Sequence, residues 1–89
     1  MRLKFTHESF NDLVRLREFI AEKNPSAAEK YARKLMSTIQ NLIINPELGK
    51  ILDEKPDVRE LVAGNYIVRY SLRGDIIYIL KVWHGKEYR

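Results

Sequence analysis

The sequence predicts an α+β domain: an N-terminal strand and an antiparallel helical hairpin packed on a four-stranded antiparallel sheet, with a candidate fifth strand. Three observations carry that prediction. Apolar residues recur at spacings of three and four through two stretches of the first half. Strand-like runs separated by glycine turns fill the second half. A length of 89 residues leaves room for one modest core and excludes two domains.

Arg2 to Thr6 alternates Leu3 and Phe5 with polar neighbours, the pattern of a short strand with one buried face. Thr6 or His7 then opens a helix whose apolar stripe is Phe10, Leu13, Leu16 and Ile20, widened by Val14 and Phe19. It stops at Lys23-Asn24-Pro25, because proline cannot continue the hydrogen-bond ladder. The same residues predict the next start, with Asn24 as N-cap and Pro25 in the first helical position. From Ala28 the stripe runs through Tyr31, Ala32, Leu35, Ile39, Leu42 and Ile43, and Asn45-Pro46 closes it. So short a link between helices implies an antiparallel hairpin.

Residues 46–57 read as an exposed acidic loop with a short candidate strand at Lys50 to Asp53. Three strands follow, at Val58 to Val62, Tyr66 to Leu72 and Ile76 to Trp83, joined through Ala63-Gly64-Asn65 and Arg73-Gly74-Asp75. The last run is almost wholly apolar, as a central strand is, so the first strand is expected beside it. A slip of one residue in register exchanges the two faces of a strand. The turn length at Arg73-Gly74-Asp75 therefore leaves open which face carries Arg69 and Lys81.

Composition removes many function classes. There is no cysteine, which excludes disulfides and thiolate metal sites. The two histidines, His7 and His84, lie far apart without ligand-spaced partners, so no metal or cofactor is expected. The four glycines form no phosphate-cradling loop, and no serine sits in a nucleophile elbow. The sequence contains no run of apolar residues long enough to span a membrane and no secretory leader, so a cytoplasmic protein is expected. The net charge of +4 divides into +3 over residues 1–45, −2 over 46–57 and +3 over 58–89. That division favours a limited basic patch beside an acidic loop over a broad nucleic-acid footprint.

The remaining chemistry lies on the sheet and the short basic tail: Arg59, Arg69, Lys81, His84, Lys86, Tyr88 and Arg89. Arginine is uncommon in mid-strand, and Arg69 stands in Tyr-Ile-Val-Arg-Tyr with no adjacent acid. The bland alternative is a solvated face, or pairing with Glu60 or Asp57. His84 ends the central strand, where it could titrate near neutrality as an acid or base, or bond a backbone carbonyl. Tyr31, Tyr66, Tyr70 and Tyr78 are read as core side chains.

Several strings in this order resemble the ParE branch of the RelE/ParE toxin superfamily. They are Asn24-Pro25-Ser26-Ala27-Ala28, Asn45-Pro46-Glu47-Leu48-Gly49-Lys50, Val58-Arg59-Glu60-Leu61-Val62 and Tyr66-Ile67-Val68-Arg69-Tyr70. Tyr78-Ile79-Leu80-Lys81-Val82-Trp83-His84-Gly85 closes the series, and a final strand ending in His-Gly is typical of that branch. The resemblance implies the toxin of a type II toxin–antitoxin pair, a ParD-like acidic antitoxin as partner, DNA gyrase as target and plasmid stabilisation as the setting.

Two mechanisms come with the superfamily. A gyrase inhibitor needs a contact surface, for which Arg59, Arg69, Trp83, His84, Lys86, Tyr88 and Arg89 are the candidates. The alternative, a metal-free and ribosome-dependent mRNA endoribonuclease, would use Arg59, His84 and Tyr88 as its catalytic set. The acidic loop before Arg59, the adjacent Glu60 and the low net charge favour the non-catalytic inhibitor.

Overall fold

The computed structural model describes residues 1–87; Tyr88 and Arg89 lie outside the described residues. In chain order the elements are β1 (Arg2–Phe5), α1 (His7–Lys23), α2 (Ala28–Gln40), a 3-10 turn (Asn41–Ile43), β2 (Lys50–Ile51), β3 (Val58–Ala63), β4 (Tyr66–Arg73) and β5 (Ile76–His84). The strands form one five-stranded sheet of order β1-β5-β4-β3-β2. The candidate strand in the acidic loop is thus real, though only two residues long. No helix among the described residues is long and apolar enough to cross a membrane.

The sheet is mixed and not wholly antiparallel, because β1 runs parallel to β5. Topology dictates this. Two helices return the chain to the end of the sheet where β1 finished, and three antiparallel reversals then leave β5 running with β1. Leu3 and Phe5 pair with Ile77 and Ile79 and share their inward face. Both hairpins turn through two residues, Gly64-Asn65 and Gly74-Asp75. Gly64 has φ +63° and Gly74 φ +59°, the first-position glycine that a II′ turn requires.

The register question is resolved by a bulge. Tyr70 pairs with Ile79, but Arg69 pairs with Lys81, so Leu80 is the extra residue. The slip reverses the alternation of the last four residues of β5. Val82 and His84 turn toward the helices, while Lys81 and Trp83 share the open face with Arg69.

The core lies between this sheet and the helices. Leu16 and Ile20 of α1, Leu35 and Ile39 of α2 and Leu42 of the 3-10 turn meet Val68, Tyr70, Ile77, Ile79 and Val82. Tyr66 and Tyr70 are core residues as the sequence implied, whereas Tyr31 is exposed and Tyr78 half-buried. The α1 stripe differs from expectation. Its buried residues are Ser9, Asp12, Leu16 and Ile20, while Phe10 and Val14 are 57% and 48% exposed. Phe10 and Val14 stand about 100° and 140° round the helix from Ser9, so the whole stripe is rotated by polar demands.

Those demands come from the edge of β5. Strand β1 stops opposite Ile79, leaving residues 80–84 without a neighbour on that side. Side chains replace the missing strand. The Thr6 hydroxyl donates to the Ile79 and Leu80 carbonyls at 3.1 and 3.3 Å. The Val82 N–H donates to Asp12 Oδ2 at 2.9 Å, and Arg15 Nη2 donates to the Val82 carbonyl at 3.2 Å. The His84 N–H donates to Glu87 Oε1 at 2.9 Å. Arg15 joins the set, bonding both oxygens of Glu87 at 2.8 and 3.2 Å and Asp12 Oδ1 at 2.5 Å. The Glu87 hydrogen bonds, opposed in part by burial and aided by Asp12, hold the guanidinium proton above the ordinary arginine range.

Thr6 also caps α1 by accepting the Ser9 N–H at 3.1 Å. Asn24 does not cap α2. Its N–H closes α1 on the Ile20 carbonyl at 2.7 Å, and its own carbonyl accepts from Ala27 in a turn. Helix α2 therefore begins at Ala28, without a side-chain cap. At the other end of the sheet, the buried Tyr70 hydroxyl accepts the Gly49 N–H at 2.7 Å and donates to the Pro46 carbonyl at 2.8 Å.

Two stability predictions follow from these contacts. Asp12→Ala strands a buried N–H and one side of Arg15, and should destabilise the fold by about 3 kcal/mol in denaturant titration. A Cβ at position 49 would lie 2.7 Å from the Tyr70 ring and 2.8 Å from its hydroxyl. Because two hydrogen bonds pin that ring, Gly49→Ala should lower stability by about 1–3 kcal/mol, read by the same titration.

Candidate functional site

The sequence candidates divide among three places. Arg69 and Trp83 meet on the open face of the sheet, opposite the helices. The Arg69 guanidinium lies 5.1 Å from the Trp83 ring centroid, within cation–π range, and its Nε donates to Glu60 Oε2 at 2.9 Å. Glu60, Arg69 and Lys81 form a row across three strands, and Lys81 Nζ reaches Glu8 of α1 at 2.8 Å. The anticipated pairing of Arg69 with Glu60 is therefore present. It leaves the aromatic face of Trp83 bound to a cation, with Ile67 and the 68%-exposed Val62 beside it on the same face.

His84 belongs to the opposite face. Its ring packs against Phe19 of α1 at 5.4 Å and edge-on against Tyr66 of β4 at 5.2 Å. Nδ1 accepts the Lys86 N–H at 3.0 Å, which places the proton of the neutral ring on Nε2. Burial, followed by the neighbouring Tyr31, raises the Tyr66 phenol above its usual range, so it stays protonated at neutral pH. Lys86 is exposed on the turn after β5. Among the described residues of the tail, Glu87 is tied to Arg15 and to the edge of β5.

Arg59 stands apart from both. It shares a face with Tyr70 and donates to the Gly49 and Glu47 carbonyls at 2.8 and 3.3 Å, holding the loop before β2. Its neighbour in β4 is Tyr70, whereas that of His84 is Tyr66. Four residues along a strand span about 13 Å, and the two side chains belong to strands on opposite sides of β4. Tyr88 and Arg89, the remaining candidates, lie outside the described residues. No group of three or more metal-ligating side chains comes together among the described residues.

One surface was not anticipated. Turning Phe10 and Val14 away from the sheet opens a groove between the helices, lined by Phe10, Leu13, Val14, Leu16, Ala32 and Met36 among others, with a volume of about 240 Å³. Its signal in the sequence was the α1 stripe itself, which is wider than one buried face requires. The polar anchors Asp12 and Arg15 were also missed. Their three-residue spacing on the Leu16 side of α1 was the available sign.

Comparison with known proteins agrees with this architecture. A curated relative, Toxin RelE1 of Caulobacter vibrioides, is 29% identical over 82 residues, which cover 88% of this chain and 86% of the relative. Toxin RelE2 of the same organism is 28% identical, with 91% of each chain covered. A solved structure described as the chromosomal ParDE TA system from P. aeruginosa superposes with a TM-score of 0.82 over 94% of this chain and 95% of that one, at 22% identity, and so shares the fold. The family described as "ParE toxin of type II toxin-antitoxin system, parDE" matches residues 3–88. The chain belongs to the ParE family of type II toxins.

Proposed function

We propose that this toxin stalls DNA gyrase by binding it. The contact surface is the open sheet face around Arg69 and Trp83, extended by Ile67 and Val62. Of the other candidates, His84 faces the helices, Lys86 is exposed on the turn after β5, and Tyr88 and Arg89 lie outside the described residues. The observation that carries this reading is the occupation of Arg59. Cleavage of RNA without a metal needs a base, an acid and cations gathered on one phosphate. Arg59 is instead committed to two loop carbonyls, about 13 Å along the strand from His84. A binding toxin needs no such convergence, and tryptophan and arginine, which meet here, are among the residue types enriched where protein interfaces concentrate their energy.

The second reading, a ribosome-dependent endoribonuclease using Arg59, His84 and Tyr88, is favoured by the curated relatives, which are named RelE toxins. The partner in either case is an acidic, ParD-like antitoxin. The groove between α1 and α2 suits an amphipathic helix of such a protein, because its apolar floor is edged by Arg17. The toxin and both partners would then meet in the cytoplasm.

Purified gyrase supercoiling and DNA-cleavage assays, run beside an mRNA-cleavage assay on programmed ribosomes, test the target. Inhibition of gyrase without mRNA cleavage is expected, with Trp83→Ala and Arg69→Ala each weakening it by about tenfold or more. Cut mRNA and an unaffected gyrase would reverse the assignment. For the partner, Val14→Asp should weaken binding of the cognate antitoxin by about tenfold while leaving gyrase inhibition and thermal stability unchanged; undiminished binding would place the antitoxin elsewhere.

A further inference from the structure

The end of the sheet where β4 begins and β5 finishes carries a second concavity, distinct from the groove between the helices. It has a volume of about 370 Å³ and is lined by Phe19, Lys23, Tyr31, Tyr66, His84 and Lys86, together with two asparagines and Ile20, which it shares with that groove. Four elements converge to build it. The C-terminal turn of α1 supplies Phe19 and Lys23, the first turn of α2 supplies Tyr31, and the paired residues Tyr66 and His84 form the floor. We propose that this cavity binds a nucleoside monophosphate, its base against the aromatic walls and its phosphate between Lys23, Lys86 and the His84 Nε2–H.

The chemistry of the lining selects that class. Three aromatic rings and an imidazole offer flat, polarisable walls, on which any nucleobase can stack. No carboxylate of the described residues lines the cavity, so its two ammonium groups give the lining a positive field. Neither lysine is ion-paired with a described residue, in contrast to Arg15, Arg69 and Lys81. The His84 tautomer is set by the Lys86 N–H on Nδ1, which leaves Nε2 as a donor. The volume falls in the range of small-ligand sites, sufficient for a base, a sugar and one phosphate. The site is a binding site only, with no bond made or broken, and it stands independently of the gyrase assignment.

The test is an NMR titration of the isotope-labelled chain with adenosine 5′-monophosphate, adenosine and inorganic phosphate, following the rings of Phe19, Tyr31, Tyr66 and His84. Saturable shifts of these rings are expected with the nucleotide, and binding at least about tenfold weaker for adenosine or phosphate alone. Tyr31→Ala and Lys23→Gln, both at exposed positions, should each weaken nucleotide binding by about tenfold without altering thermal stability, whereas Val14→Asp should not affect it. A 5′-phosphorylated trinucleotide separates the sources: affinity equal to the mononucleotide assigns a free nucleotide, and tighter binding assigns the end of a strand. Absence of saturable shifts, phosphate binding as tight as the nucleotide, or shifts unchanged by Tyr31→Ala and Lys23→Gln would overturn the proposal.

Discussion

The structure depends on the exposed backbone of β5 beyond the point where β1 stops. Buried amides and carbonyls must find partners, and the sheet has no strand left to offer them. Thr6, Asp12, Arg15 and Glu87 take that place, three of them at the start or along α1 and one on the tail. Satisfying this edge turns the Ser9 and Asp12 side of α1 toward the sheet, which in turn exposes Phe10 and Val14. The apolar groove between the helices is therefore a consequence of polar pairing elsewhere. The same pairing fastens Glu87, so that Lys86 and the ring of His84 are brought beside Phe19 and Tyr66.

A single bulge divides the candidate residues between two faces. Had β5 continued past Ile79 in regular register, without the bulge at Leu80, Arg69 would have paired with Leu80 and Trp83 would have turned inward. With the bulge, Trp83 and Lys81 lie with Arg69 on the open face, and His84 lies under the helices. A toxin held by an antitoxin and aimed at a target has use for separate surfaces. Here the helical groove and the open sheet face are on opposite sides of one sheet, carried by different elements and by different chemistry: mostly apolar in the groove, cation and indole on the sheet.

Much of the fold was legible in the residues. The two glycine turns, the five-turn periodicity after Ala28 and the apolar run at Ile76 to Trp83 are local signals, and local sterics and burial decide them. The start of α2 was misplaced because Asn24-Pro25 suits two roles, and the closure of α1 on Ile20 claims the Asn24 backbone first. The direction of β1 was missed because strand polarity follows from the path of the whole chain, which no segment encodes. Of the site residues, Arg69 and Trp83 both lie inside runs that were read as strands from the sequence, yet their meeting required the bulge. Arg59 looked functional from its position in mid-strand; its partners, the carbonyls of Glu47 and Gly49, come from a loop whose course the sequence does not specify.

The sequence by itself determined the class of the domain, the order of its elements and the family to which it belongs, because periodicity, turn chemistry and local strings survive without knowledge of what packs on what. The tertiary structure alone decided which way each side chain faces. A strand shows only two faces and a helix one stripe at a time, so one extra residue in β5 and one unpaired edge were enough to reassign His84, Trp83, Phe10 and Asp12 together.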